Sequence, residues 1–162
     1  MQSLKLKHLD STAKTFLAFF LVTIQLGIFI GIGYIYYTTS LNPGGTIEHY
    51  NGSEIVENDI PEEFPKSLES MILTTHAHVN SFAMISLIIG FIFYFNSIVS
   101  GRFKLFLMVE PFLSTVITFL SIWIMRYIND SFVYLVMLSS ILMYLCWSVM
   151  VIISLYELIF KK

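Results

Sequence analysis

Two imidazoles, His76 and His78, stand two residues apart near the start of a long apolar run, with Asn80 and Ser81 close behind them. A neutral imidazole ligates iron, zinc or copper through one ring nitrogen, and it exchanges a proton near neutral pH. On a helix, residues i and i+2 point about 200° apart, so one metal cannot take both rings; a spacing of i, i+3 or i, i+4 would allow it. The stretch therefore offers one candidate metal ligand, His78 or His76. The other ring is left for a backbone carbonyl, a loop or a partner. On a helical wheel Glu69, His76, Asn80, Leu87 and Tyr94 share one line, while Thr74, Ser81 and Asn96 lie nearer His78. That grouping favours His76 as the hydrogen-bonded ring and His78 as the free one.

Other residues bear on the same chemistry. Arg126 is expected at about the depth of the two histidines, and a guanidinium there would receive the carboxylates of a haem whose iron takes an imidazole. His49 and Tyr50, in a hydrophilic stretch, would fold over the same mouth. Glu110, Ser114, Thr118 and Ser121 fall within about 80° of one another and form a polar stripe for protons or a carried solute. Pro111 follows Glu110 as a kink or a start-of-helix proline. The methionines are scattered and read as packing. Cys146 is the only cysteine, so it forms no intramolecular disulfide.

These residues are carried by apolar elements. The chain has 162 residues, of which 56% are hydrophobic and only 12% charged. Soluble domains run at about 25% charged, and runs of about 18 or more apolar residues read as membrane spans. A net charge of −2 with no basic patch excludes a nucleic-acid partner. The expected fold is all-α: a single membrane domain, 1–162, built as a four-helix transmembrane bundle. Its helices are expected at about 15–38, 67–97, 103–127 and 131–160, with an outer acidic loop over 40–66. The first run is too long for a signal-peptide core and lacks a cleavage site. It contains Gly27 and Gly31 on a strip with Thr23, a surface for close helix approach. Tyr34, Tyr36 and Tyr37 then form an interfacial belt.

The acidic loop opens on Asn42-Pro43-Gly44-Gly45, a turn signal, and carries Glu48, Glu54, Glu57, Asp59, Glu62 and Glu63. It reads as an ordered loop with one short helix. Basic residues gather in the N-terminal segment, at Arg102 and Lys104, and at Lys161 and Lys162. By the positive-inside rule the N and C termini are both cytoplasmic. The short second and third connections make the last three helices antiparallel neighbours.

The stretch from Thr75 to Tyr94, with His76, His78, Asn80 and Gly90 as its specific letters, resembles one particular helix. It is similar to the haem-ligating second helix of haem-copper oxidase and nitric oxide reductase catalytic subunits. It is still more similar to small four-helix proteins grouped with them. The resemblance implies that one histidine is an axial ligand of haem b. Only His8 and His49 accompany the pair, so the ligand sets for a second haem and copper are missing and reduction of oxygen or nitric oxide by this chain alone is excluded. A diheme cytochrome of the four-histidine kind is disfavoured for the same reason. The expected function is a haem-binding protein in electron transfer or sensing, with Asn80 and Ser81 supporting the ligand. It would be an accessory subunit of a respiratory chain complex in a bacterial inner membrane, embedded in the lipid bilayer as a homo-oligomer or part of a larger membrane complex. Two alternatives stand beside it: a cofactor-free assembly subunit, and a small carrier or proton path through Glu110 and the histidines.

Overall fold

The computed structural model describes residues 5–53, 61 and 63–161. The expected acidic residues Glu54, Glu57, Asp59 and Glu62, and the basic Lys162, lie outside the described residues. Among the described residues the secondary structure is entirely helical. It comprises α1 (Ser11–Thr39), α2 (Pro43–Asn51), α3 (Leu68–Tyr94), α4 (Gly101–Tyr127) and α5 (Val133–Phe160), with 3-10 turns at Leu6–His8 and Asp130–Phe132. α1, α3, α4 and α5 are long and apolar enough to cross a membrane, and α2 is not.

Local chemistry moves several of the expected boundaries. α1 starts four residues early because the Asp10 carboxylate accepts from the Ala13 N–H at 3.0 Å, a side-chain N-cap. Lys14 is therefore helical, and its Nζ donates to the Lys161 carbonyl at 3.3 Å. Asn42-Pro43-Gly44-Gly45 opens a helix instead of making an isolated turn. Asn42 Oδ1 accepts from Gly45 N at 2.7 Å, and Pro43 sits at the first helical position, where its missing N–H has no partner to lose. α3 ends at Tyr94, short of the expected 97, because Asn96 and Ser97 leave the helix to bind a carboxylate on α5.

The helices pack α3–α4–α5–α1 in sequence around α5, with α4 against α5 the most extensive pairing. α4 and α5 run antiparallel: Thr115 meets Met143, and three residues further along α4, Thr118 meets Ser139. Trp147 is the largest fully buried side chain, and its Nε1–H donates to Ser86 Oγ on α3 at 3.0 Å. In lipid there is little hydrophobic gain between helices, so close packing and such interhelical bonds hold the bundle together. α1 contacts α5 through a seam of Leu17, Leu21, Ile24, Ile28 and Ile32 at three- and four-residue spacing. The expected Gly27/Gly31 approach is only half realised. Gly31 lies under the Tyr144 hydroxyl, where an added Cβ would be 3.3 Å away, whereas Gly27 faces open space. Tyr34, Tyr36 and Tyr37 are exposed, as expected of an interfacial belt.

The two ends of the bundle are built differently. At the end carrying both termini, Glu157 of α5 is completely buried. Its Oε2 accepts from Asn96 Nδ2 at 2.6 Å and Ser97 N at 2.7 Å, and its Oε1 accepts from Ser97 Oγ at 2.7 Å. Asn96 Oδ1 in turn accepts from the N–H groups of Ile98 and Val99, and Lys104 Nζ donates to the carbonyls of Tyr94 and Asn96. One carboxylate and one lysine thus satisfy the turn between α3 and α4. At the other end α2 packs over the bundle, with Tyr50 against the cluster of Met71, Phe119, Ile122 and Val136. Asn51 Nδ2 donates to Asp130 Oδ1 at 2.7 Å, joining α2 to the α4–α5 connection and occupying the amide of the Asn51-Gly52-Ser53 sequon.

Candidate functional site

α3 holds both histidines in regular helix, and the wheel angles are kept. His78 leans toward α4, its ring centroid 5.8 Å from that of Phe119 and 5.4 Å from that of Phe82. His78 Nδ1 lies 2.9 Å from the Thr74 carbonyl oxygen. A carbonyl only accepts, so Nδ1 carries the proton in this contact and Nε2 is left as the lone-pair nitrogen. His76 lies on the other face of α3, and its hydrogen-bond partner among the described residues is Asn80, whose Nδ2 stands 3.4 Å from Nδ1 and 3.5 Å from Nε2. The expected Asn80–His76 pairing is present, but it is long. The tightly held ring is His78, whose lone-pair nitrogen stays unbound. Ser81 donates to the Ala77 carbonyl at 2.7 Å, so it serves its own helix and supports neither imidazole. His76, His78, Asn80 and Ser81 are all exposed on the flank of the bundle.

Thr75 Oγ1 accepts from Trp123 Nε1 at 2.9 Å, which fixes the register of α3 against α4 beside the histidines. With His78 level with Phe119, Arg126 lies seven residues, about 10 Å, further toward the α2 end. This corrects the expectation of equal depth. Seven residues is two turns, so Phe119 and Arg126 share one face of α4. Arg126 is half-buried, with its guanidinium 5.2 Å from the Tyr127 ring centroid. Its Nε is buried with no partner among the described residues.

His49 lies on α2, where its ring meets Tyr50 edge-on at 5.1 Å. Burial, then the Lys66 ammonium, lowers its pKa below 6.5, against an opposing pull from Glu63. Burial pushes the neighbouring Tyr50 phenol up to about 12. α2 therefore places His49 over the bundle end, in a setting that disfavours the charged ring. His49 Nδ1 has no partner among the described residues.

The polar stripe of α4 is buried. Glu110, Ser114, Thr118 and Ser121 are all inaccessible, and Thr118 Oγ1 lies 2.7 Å from Ser139 Oγ on α5. Ser114 donates to Glu110 Oε1, while Glu110 Oε2 is buried with no partner. Cys146 of α5 lies beside the Glu110 carboxyl. Among the described residues no three of His, Cys, Asp and Glu converge as a metal cage. Sequence reading passed over Glu157 and Phe119, and it set Thr74 on the His78 side without assigning its carbonyl to the ring. Glu157 had a usable signal, being the only carboxylate inside the apolar run of the last helix.

Residues 40–162 match a family described as a transmembrane helical domain, Aq_1264_TM, and the chain belongs to that family. The match runs from α2 through α5 and leaves α1 outside it. No curated protein and no solved structure matches the chain.

Proposed function

We propose that this member of the transmembrane helical domain family is a small haem b subunit of a membrane complex, with His78 as the iron ligand. The observation that carries this reading is the bond from His78 Nδ1 to the Thr74 carbonyl at 2.9 Å. Ligating histidines commonly donate their second ring nitrogen to a carbonyl in this way, which fixes the tautomer and the ring plane. The Phe82 and Phe119 rings supply an apolar wall beside the ligand. Arg126, on the Phe119 face with an unpartnered buried Nε, supports a role in binding the haem carboxylates through its planar fork.

The donor set fits one axial ligand from this chain. His76 faces away, and Ser81 is spent on its own helix. Bound haem would supply one-electron redox chemistry, tuned by its axial ligation and surroundings. His78 is exposed on the flank of the bundle, so the far side of the haem would be covered by a second chain, either another copy or a larger respiratory assembly. Lys7, Lys14, Arg102, Lys104 and Lys161 gather at the termini end, which supports placing that end in the cytoplasm of a bacterial inner membrane.

Purification after expression with ample haem, followed by a visible spectrum and a pyridine haemochrome assay, tests the reading. The expected result is a b-type spectrum that His78→Ala abolishes and His76→Ala retains. A protein without a Soret band, or equal retention by the two variants, refutes the assignment. A second reading rests on a separate observation. His76 and Asn80 are polar yet exposed on a membrane-facing helix, where such groups usually bond across helices. On that reading the α3 face is a cofactor-free docking surface, and Asn80→Leu releases a co-purified partner while no haem is found.

A further inference from the structure

Glu110 and Glu157 are both carboxyl groups buried between apolar helices, and they are not equally provided for. Three donors meet the oxygens of Glu157. Glu110, with 5% of its surface exposed, receives the Ser114 hydroxyl on Oε1 and has the Cys146 thiol beside its carboxyl, while Oε2 meets no donor within hydrogen-bond distance among the described residues. Pro111, the next residue, has no N–H, so the Leu107 carbonyl on the preceding turn loses its intrahelical donor. One turn later the Thr115 hydroxyl donates to the Pro111 carbonyl at 2.7 Å, and so does not serve Leu107. An open carboxyl oxygen and a carbonyl without its usual intrahelical donor therefore sit on adjacent turns in the interior of the bundle.

The surroundings select what satisfies this oxygen. A hard cation takes about six or more oxygen ligands. Here there are one carboxyl, the Ser114 hydroxyl and the Cys146 thiol. α3 carries no ionisable residue between His78 and Tyr94, Cys146 is the titratable group that α5 brings alongside, and Arg102 and Lys104 lie more than a turn away on α4 itself. The donor set suits a proton. Beyond Ser114, the same face continues to the Thr118–Ser139 hydroxyl pair at 2.7 Å and to the buried Ser121. A hydroxyl both donates and accepts, so a row of them, with bridging water, relays a proton.

We propose that Glu110 is a proton-exchange site inside the membrane, reached from the α2 end along Ser114, the Thr118–Ser139 pair and Ser121. This reading stands on the α4–α5 interface and does not depend on haem binding at α3. The probe is infrared spectroscopy of the full chain in lipid, in water and in D2O. A carboxylic-acid C=O stretch is expected that shifts on D2O exchange, is lost in Glu110→Gln and persists in Glu157→Gln. Ser114→Ala, which keeps the carboxyl and removes its one hydroxyl donor, is expected to move the band without abolishing it. As an independent readout, a membrane-soluble carbodiimide, which attacks protonated carboxyls, is expected to label Glu110 and spare Glu157. Absence of an exchangeable band, its survival in Glu110→Gln, or preferential labelling of Glu157 overturns the proposal.

Discussion

At the termini end, Glu157 meets three donors and is closed off from everything else, whereas on the flank of α3, His76, Asn80 and Ser81 meet almost nothing beyond their own helix. Both regions place polar groups in apolar helices, at a cost of about 2.5–3.5 kcal/mol for a charged group on insertion scales. The Glu157 cluster offsets that cost internally. Its donors are the Asn96 and Ser97 side chains and the Ser97 backbone N–H, and removing the carboxylate strands all of them. Among the described residues the polar groups of the α3 face bond only within their own helix and lie open on the flank of the bundle. Glu110 falls between the two: enclosed like Glu157, yet with one oxygen left open like the face of α3.

The sharpest way to break this contrast is Glu157→Ala. It strands Asn96 and Ser97 in a buried site and is expected to destabilise the protein by about 3–5 kcal/mol, read from unfolding in mixed detergent. His78→Ala on the exposed face is expected to stay within about 0.5 kcal/mol by the same measurement. Equal losses would dissolve the distinction.

Gly45→Ala tests the elbow joining α1 to α2, since its Cβ would overlap the Thr39 carbonyl, a backbone atom that cannot swing aside. A loss of about 1–3 kcal/mol is expected, together with increased proteolysis within α2. Thr75→Val removes the acceptor of the Trp123 indole and is expected to cost about 0.6 kcal/mol, the usual scale for an interhelical bond in a membrane. A double-mutant cycle with Trp123→Phe isolates that term.

The smallest effect is a pH dependence at the α2 end. The folded pKa of His49 lies below its unfolded value of 6.5, so the unfolded chain takes up the proton first. The contribution is complete above pH 6.5 and is lost as pH falls through the window beneath it. The melting temperature of wild type should hold a constant offset from that of His49→Gln above that window and fall relative to it as pH drops through the window. Parallel curves would show that His49 is not set apart from solvent.

The four spanning helices were legible in the sequence because each is one long apolar run broken by short polar connections. Their ends were less so. Asp10 caps α1 across a lysine that reads as pre-helical, and Asn96 leaves α3 for a residue some sixty positions away. The wheel correctly set His76 and His78 on different faces, but it could not tell which face turns inward. In a soluble helix polarity decides that question; in lipid both faces are apolar and packing decides. The stripe on α4 was legible as a stripe. Its counterpart on α5, Ser139, Cys146 and Glu157, lies within about 20° on a wheel and was there to be read in the same way.

α1 leans chiefly on α5, through Gln25 Nε2 to Ser148 Oγ at 3.2 Å, Gly31 under Tyr144, and Lys14 to the Lys161 carbonyl. That pairing joins two spanning helices separated by α2, α3 and α4 along the chain. At roughly 5–20 residues per second, the stretch between them takes on the order of ten seconds to emerge from the ribosome. Until α5 emerges, the seam of α1 that carries Leu21 and Ile28 has no α5 to pack against. The α3–α4 hairpin, closed by its short turn, can assemble while α1 waits. α1 thus precedes in the chain the helix it chiefly packs against, and its docking on the bundle waits for α5.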